Sequence, residues 1–147
     1  MAKISVADIA GMGFTKEMFG KESDGDFAGM IDNIIAEQSD LLKLRVSGLK
    51  YDSTDPGITL QVTRAEKCLV GAEMIQARII YTAGNAVPNG EEPDTGSLDR
   101  QRDKYTREAN ELVAKIITGA LSDSSDFATG ATVSAGTTRA VFLSAYK

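Results

Sequence analysis

Apolar residues recur along this chain at three- and four-residue intervals in three separate stretches, the spacing of one buried face on a helix. The first stretch begins at Asp26 and carries Phe27, Met30, Ile31, Ile34, Ile35, Gln38, Leu41, Leu42 and Arg45 on one stripe, predicting a helix over about residues 26 to 47 with Ile34 on its core face. Ser23, Asp24 and Asp26 offer oxygens to the orphan amides at its start, and Gly48 supplies a residue tolerant of positive φ at its end. The second stretch holds Ala65, Cys68, Leu69, Ala72, Ile75, Ile79 and Ile80 at helical spacing from Thr63 to about Tyr81, with Gly71 allowing close approach of a neighbour. The third is the clearest: Leu98, Tyr105, Ala109, Leu112, Val113, Ile116, Ile117 and Ala120 form a single apolar stripe from a cap at Ser97 to about Leu121.

Between these stretches the punctuation is strong. Residues 1 to 22 place Ile4, Val6, Ile9, Met12 and Phe14 around Gly11 and Gly13, which predicts a lead-in segment with at most a short helical turn, packed on the body. Tyr51 to Gly57, YDSTDPG, reads as a breaker in which Asp55 and Pro56 serve as N-cap and first residue of the next helix. Ile58, Leu60 and Val62 alternate, however, and predict a short strand at 58 to 62. Residues 84 to 97, GNAVPNGEEPDTGS, form a connection that is long for a compact bundle, exposed or shaped by a partner.

After Leu121 the pattern changes. SDSSDFATGATVSAGTTRA is small and polar and lacks the apolar surface to order itself, yet the chain then reads VFLSAYK. Arg139, Val141, Phe142, Leu143 and Tyr146 therefore form a candidate docking segment on a tether, since burial of one such side chain is worth roughly 1.5 to 3 kcal/mol. Two readings stand side by side: docking on another molecule, or pairing of Arg139 to Tyr146 as a strand with Ile58 to Val62. The expected fold is all-α: a bundle of three main helices in residues 1–121, with a short N-terminal segment and a long exposed loop, followed by an extended C-terminal arm over 122–147 and short strands at the two places named.

Composition narrows the chemistry. The 147 residues are 42% hydrophobic, enough for one packed core, and 16 basic against 21 acidic residues leave a net charge of −5, which opposes adhesion to nucleic acid or an anionic membrane. No stretch is apolar enough to span a bilayer and the N-terminus lacks a secretory signal, so the expectation is a protein made and kept in a cytosol. Without histidine, Ser-His-Asp and Cys-His hydrolysis and the common zinc sites are excluded. Neither phosphate-binding glycine motif occurs, and Glu91, Glu92 and Asp94 read as a solvated acidic turn whose spacing does not match a calcium loop. The expectation is a protein that is not an enzyme and has no cofactor and no metal.

Two further features bear on partners. Cys68, the single cysteine, sits among Ala65, Leu69 and Ala72 and reads as a small buried hydrophobe. Arg100, Arg102, Lys104 and Arg107 open the third helix and are candidates for contact with a neighbouring subunit, although Asp99, Asp103 and Glu108 stand where they can neutralise them. Arg45 and Arg78 fall beside apolar faces that their stems can cover.

The order of parts resembles the head-to-tail adaptor proteins of tailed bacteriophages, also called connector or head-completion proteins. The resemblance is carried by the opening ISVADIAGMGF, the first helix DFAGMIDNIIAEQSDLLKLRVSG, the second helix RAEKCLVGAEMIQARIIYTAGNAV and the closing helix before a tail, over about residues 3 to 121. It implies a virion protein of the neck, made in the host bacterial cytoplasm, that joins a ring of twelve identical subunits under the portal protein. Such a ring extends the channel through which DNA passes without specific binding, and it offers a platform to the next neck or tail component. In these adaptors the C-terminal segment often reaches toward the portal, which assigns Arg139 and Val141 to Tyr146 that use. The tail here is longer and richer in glycine and serine than a minimal adaptor needs. Two alternatives stand beside this one: another virion interaction protein, such as a tail terminator or minor capsid subunit, and a cytosolic helical regulatory or binding module.

Overall fold

A computed structural model describes residues 1–85 and 94–119. Five helices and one 3-10 turn account for most of them: α1 (Val6–Ala10), the 3-10 turn (Lys16–Phe19), α2 (Asp24–Val46), α3 (Gly48–Tyr51), α4 (Pro56–Gly84) and α5 (Gly96–Thr118). No strand occurs among the described residues.

The long helices start where side-chain oxygens meet orphan amides. Ser23 caps α2 by accepting from the Asp26 amide at 3.0 Å, and Asp55 caps α4 by accepting from the Ile58 amide at 3.0 Å with Pro56 beside it. That second cap decides the fate of the strand predicted at Ile58 to Val62, which is the first part of α4. Ile58 and Val62 lie one turn apart and both meet the core, whereas Leu60, the middle of the supposed alternation, is half exposed. The alternating polar positions Thr59 and Thr63 donate their hydroxyls to the carbonyls of Ser53 at 2.9 Å and Thr59 at 2.8 Å, the second a bond to the preceding helical turn. The second strand, Arg139 to Tyr146, lies outside the described residues, as does the arm over 122–147.

Other boundaries move as well. The positive φ at the end of α2 belongs to Ser47 (φ 75°, ψ 149°), and Gly48 instead begins α3. α5 begins at Gly96 rather than from a cap at Ser97; Thr95 precedes it and its hydroxyl turns to Asp99 at 3.3 Å. Gly119, at φ 68°, closes α5 two residues before the expected end.

α4 is the spine of the molecule, about 43 Å long at 1.5 Å per residue, and it is packed on two sides. Toward α5 and the end of α2, Val62, Ala65 and Cys68 meet Leu42, Val46, Tyr51, Ala109, Leu112, Val113 and Ile116. Toward the N-terminus, Val70 and Met74 meet Ile4, Ile9, Phe19, Ile31 and Ile35. The lead-in segment is thus half of a second core, with Phe19 stacked on Phe27 at 5.6 Å between ring centroids. On α2 the fully buried positions are Ile31 and Leu42, with Ile35 nearly so; Ile34 is half-buried at the edge and Leu41 is 45% exposed. The apolar stripe of α2 is narrower than its sequence suggests because Gln38 and Ser39 take two buried places.

α4 and α5 pack antiparallel through the most extensive interface in the molecule. Gly71 lies in this seam, where a Cβ would make ordinary contact with the Tyr105 ring at 3.6 Å and would press on the Met12 methyl of the N-terminal segment at 2.9 Å. Gly20 is the more restricted position: a Cβ there would overlap the Tyr81 ring of α4, and φ is +64°.

Candidate functional site

Glu66 continues the apolar stripe of α4 between Val62 and Val70, four residues from each, and its side chain is completely buried. A buried carboxylate is costly unless its lone pairs are filled. Here three donors fill them: the Lys3 amide at 2.7 Å on Oε2, and on Oε1 the Tyr51 hydroxyl at 2.7 Å and the Ser39 hydroxyl at short range. Ser39 also lies 2.6 Å from the Ile35 carbonyl. The N-terminal segment, α2, α3 and α4 therefore converge on one side chain.

Tyr51 closes this network from outside. Its ring is 1% exposed and is flanked by the ammonium groups of Lys3 at 5.4 Å and Lys43 at 5.6 Å from its centroid. Lys43 is fixed by Asp52 at 2.7 Å. Burial, and then the hydrogen bond to Glu66, pushes the Tyr51 hydroxyl well above the usual phenol range. Over it lies a cleft of about 380 Å³ walled by Asp32, Ser39, Asp40, Lys43 and Tyr51 together with the first residues of the chain. Ser39 beside Glu66 has the composition of a hydroxyl and a base, but both are buried and their bonds are spent on each other and on the backbone. What the arrangement does is latch the N-terminal segment onto α4. Neither Glu66 nor Tyr51 stands out from the sequence as functional; the available signal was a carboxylate at an i, i+4, i+8 position on an apolar stripe.

The four basic residues of α5 separate into two groups. Arg102 turns inward, with Nη1 2.7 Å from Gln76 Oε1 on α4, and it pairs with Asp99 and Asp103 at 3.1 Å each. Arg100, Lys104 and Arg107 project from the opposite side of the helix, exposed, and none is ion-paired among the described residues. Among the described residues, the expectation that the carboxylates of this helix neutralise its cations holds for Arg102 alone. Arg45 lies exposed at the end of α2 and donates to Asn110 Oδ1 of α5 at 2.7 Å, and Arg78 is half-buried. Cys68 is buried as expected, and burial, followed by the charge of Glu108, raises its thiol to about 11.

One end of the molecule is conspicuously apolar. Lys50 of α3 donates to the carbonyls of Ile116 at 2.5 Å and Ile117 at 2.7 Å, so the end of α2, α3 and the end of α5 are held together. That end carries Leu44 at 80%, Leu49 at 91% and Ile117 at 52% exposure. The chain continues past Gly119 from the same place. Arg139, Val141, Phe142, Leu143 and Tyr146 lie outside the described residues, as do Glu91 and Glu92; Asp94 is described and accepts from the Gly96 amide at 3.0 Å. Among the described residues no helix is long and apolar enough to cross a membrane, and no three His, Cys, Asp or Glu side chains are grouped to hold a metal ion. Comparison with protein-family models, with curated proteins and with solved structures yields no match to this chain.

Proposed function

We propose that this chain is a non-enzymatic structural adaptor of a tailed-phage neck, one subunit of a ring that sits under the portal, extends the DNA channel and docks the tail. The observation that carries the reading is the group of exposed apolar side chains Leu44, Leu49 and Ile117 near the ends of α2, α3 and α5. Single exposed leucines are ordinary, but several gathered where three helices end mark a surface to be covered. Each is worth roughly 1.5 to 3 kcal/mol on burial, enough for three to hold a weak contact. The apolar VFLSAYK segment follows from the same end along the chain and is assigned to the portal. The net charge of −5 suits a wall along which DNA slides without sticking.

The test is native mass spectrometry of the full chain mixed with the portal protein from the same source, set against a chain cut after Ser134. A complex of rotational symmetry that forms with the full chain and fails with the cut one is the expected result. Absence of a complex with either chain would overturn the adaptor reading and return the protein to the class of cytosolic helical binding modules.

A further inference from the structure

The face of α2 opposite Ile31, Ile35 and Leu42 carries Asn33, Glu37, Asp40 and Leu44, all exposed. The face of α5 opposite Ala109 and Ile116 carries Arg100, Lys104, Arg107 and Glu111, also exposed. Both series follow the same spacing of four, three and four residues. Laid side by side and parallel, the two helices bring Glu37 level with Lys104 and Asp40 level with Arg107. Leu44, about 6 Å beyond Asp40 at 1.5 Å per residue, then falls level with Asn110 and Glu111. There α5 has a shallow depression of about 510 Å³, lined by Asp103, Thr106, Arg107, Asn110, Glu111 and Ala114. Within the described residues Glu37 and Asp40 belong to no ion pair, as Lys104 and Arg107 do not.

We propose that identical copies of this chain pack through α5 of one copy and α2 of the next, with Lys104 and Arg107 against Glu37 and Asp40 and Leu44 seated in the depression beside Asn110. This rests on the ring reading above and names its contact. The two faces are different surfaces of one chain, so the contact is heterologous: each copy offers one of each, and the series propagates until rotation closes it into a ring. An antiparallel arrangement would match the charges as well, Glu37 with Arg107 and Asp40 with Lys104, but it would carry Leu44 to Arg100; the seat beside Asn110 therefore selects the parallel direction. Arg102 takes no part, being held by Asp99, Asp103 and Gln76 within its own copy.

The experiment is sedimentation velocity of the full chain over a concentration series at low and high salt, for the wild type and three charge variants. Lys104→Glu with Arg107→Glu, and separately Glu37→Lys with Asp40→Lys, each raise the concentration needed for association by roughly tenfold or more, while the four changes together return it to near the wild-type value. Far-ultraviolet circular dichroism of each variant remains helical, because all four side chains are exposed. Association that the two double variants leave unchanged overturns the contact and leaves the ring reading intact. A wild-type chain that stays monomeric throughout, or stops at a closed dimer, overturns the contact, while the ring reading is decided separately by the complex with the portal protein.

Discussion

Replacing Glu66 with glutamine changes one atom of the side chain and tests the account of the buried network. The carboxylate accepts on both oxygens, from Tyr51 and Ser39 on one and from the Lys3 amide on the other. A glutamine amide has one accepting oxygen and one donating nitrogen. If its oxygen keeps Tyr51 and Ser39, its nitrogen meets the Lys3 amide, donor against donor. The variant loses one hydrogen bond to a charged acceptor, about 1.5 to 3 kcal/mol, and weakens two others to neutral strength. Relief from desolvating a carboxylate offsets part of this, leaving a net destabilisation of about 2 kcal/mol. For a chain of this size that lowers the melting temperature by roughly 5 to 10 °C. Tyr51→Phe removes a donor from the same oxygen and costs about 1.5 to 3 kcal/mol alone, but less than half that in the Glu66→Gln background. Urea unfolding of the two single variants and the double variant, followed by far-ultraviolet circular dichroism, measures all three terms. Hydrogen exchange at the Lys3 amide should accelerate in Glu66→Gln ahead of any amide in α5. A Glu66→Gln melt within about 1 °C of wild type, or strict additivity of the two changes, would refute the latch.

Two more outcomes are expected. Ser47 holds a backbone conformation (φ 75°, ψ 149°) close to one that essentially only glycine adopts, so Ser47→Gly should raise stability by about 1 kcal/mol in the same urea assay despite the added freedom of the unfolded chain; a loss of stability would show that the conformation is not strained. Cys68 has its thiol raised from 9.0 to about 11, so its contribution is fully present below pH 9.0 and is lost as pH rises from there toward 11, where the unfolded chain releases the proton that the folded chain retains. Tyr51 and Tyr105, both raised, act in the same direction at higher pH. Melting temperatures measured across that window should fall, and Cys68→Ala should fall less steeply; a flat profile would contradict the burial of the thiol.

The legible parts of the fold are those where one physical signal dominates. α5 has an apolar stripe against a charged background, and its core residues Ala109, Leu112, Val113 and Ile116 are among those its spacing picks out, but Ile117 on the same predicted stripe is 52% exposed, as is Ile80 at 62% on the predicted stripe of α4. At the start of α4 two signals compete, the apolar alternation of Ile58, Leu60 and Val62 against an N-cap followed by proline, and the cap prevails because Asp55 satisfies an amide that a strand would leave to a partner. Tyr51 lies hidden in a run of turn-forming residues, yet α3 folds a four-residue helix around it and buries the ring. The polar network was illegible for a different reason: its members, Lys3, Ser39, Tyr51 and Glu66, are far apart in sequence, and only the packing of α2 on α4 brings them together. Of the basic residues on α5, the helical wheel separates Arg102 from the rest, but that it finds Gln76 depends on how α4 lies alongside.

The division of the interior into two cores on either side of α4 constrains the order in which the chain can fold as it is synthesised. Ile4, Ile9 and Phe19 emerge before their partners Val70 and Met74, which belong to a later helix, α4. Until α4 is complete, the opening segment has only α2 to lie on, and the carboxylate that anchors Lys3 does not yet exist. α4 in turn waits for α5 to cover Val62, Ala65 and Cys68. The segment before α2 is therefore made earlier than the helix that secures it, and a nascent chain of this protein exposes Ile4, Ile9 and Phe19 until α4 arrives.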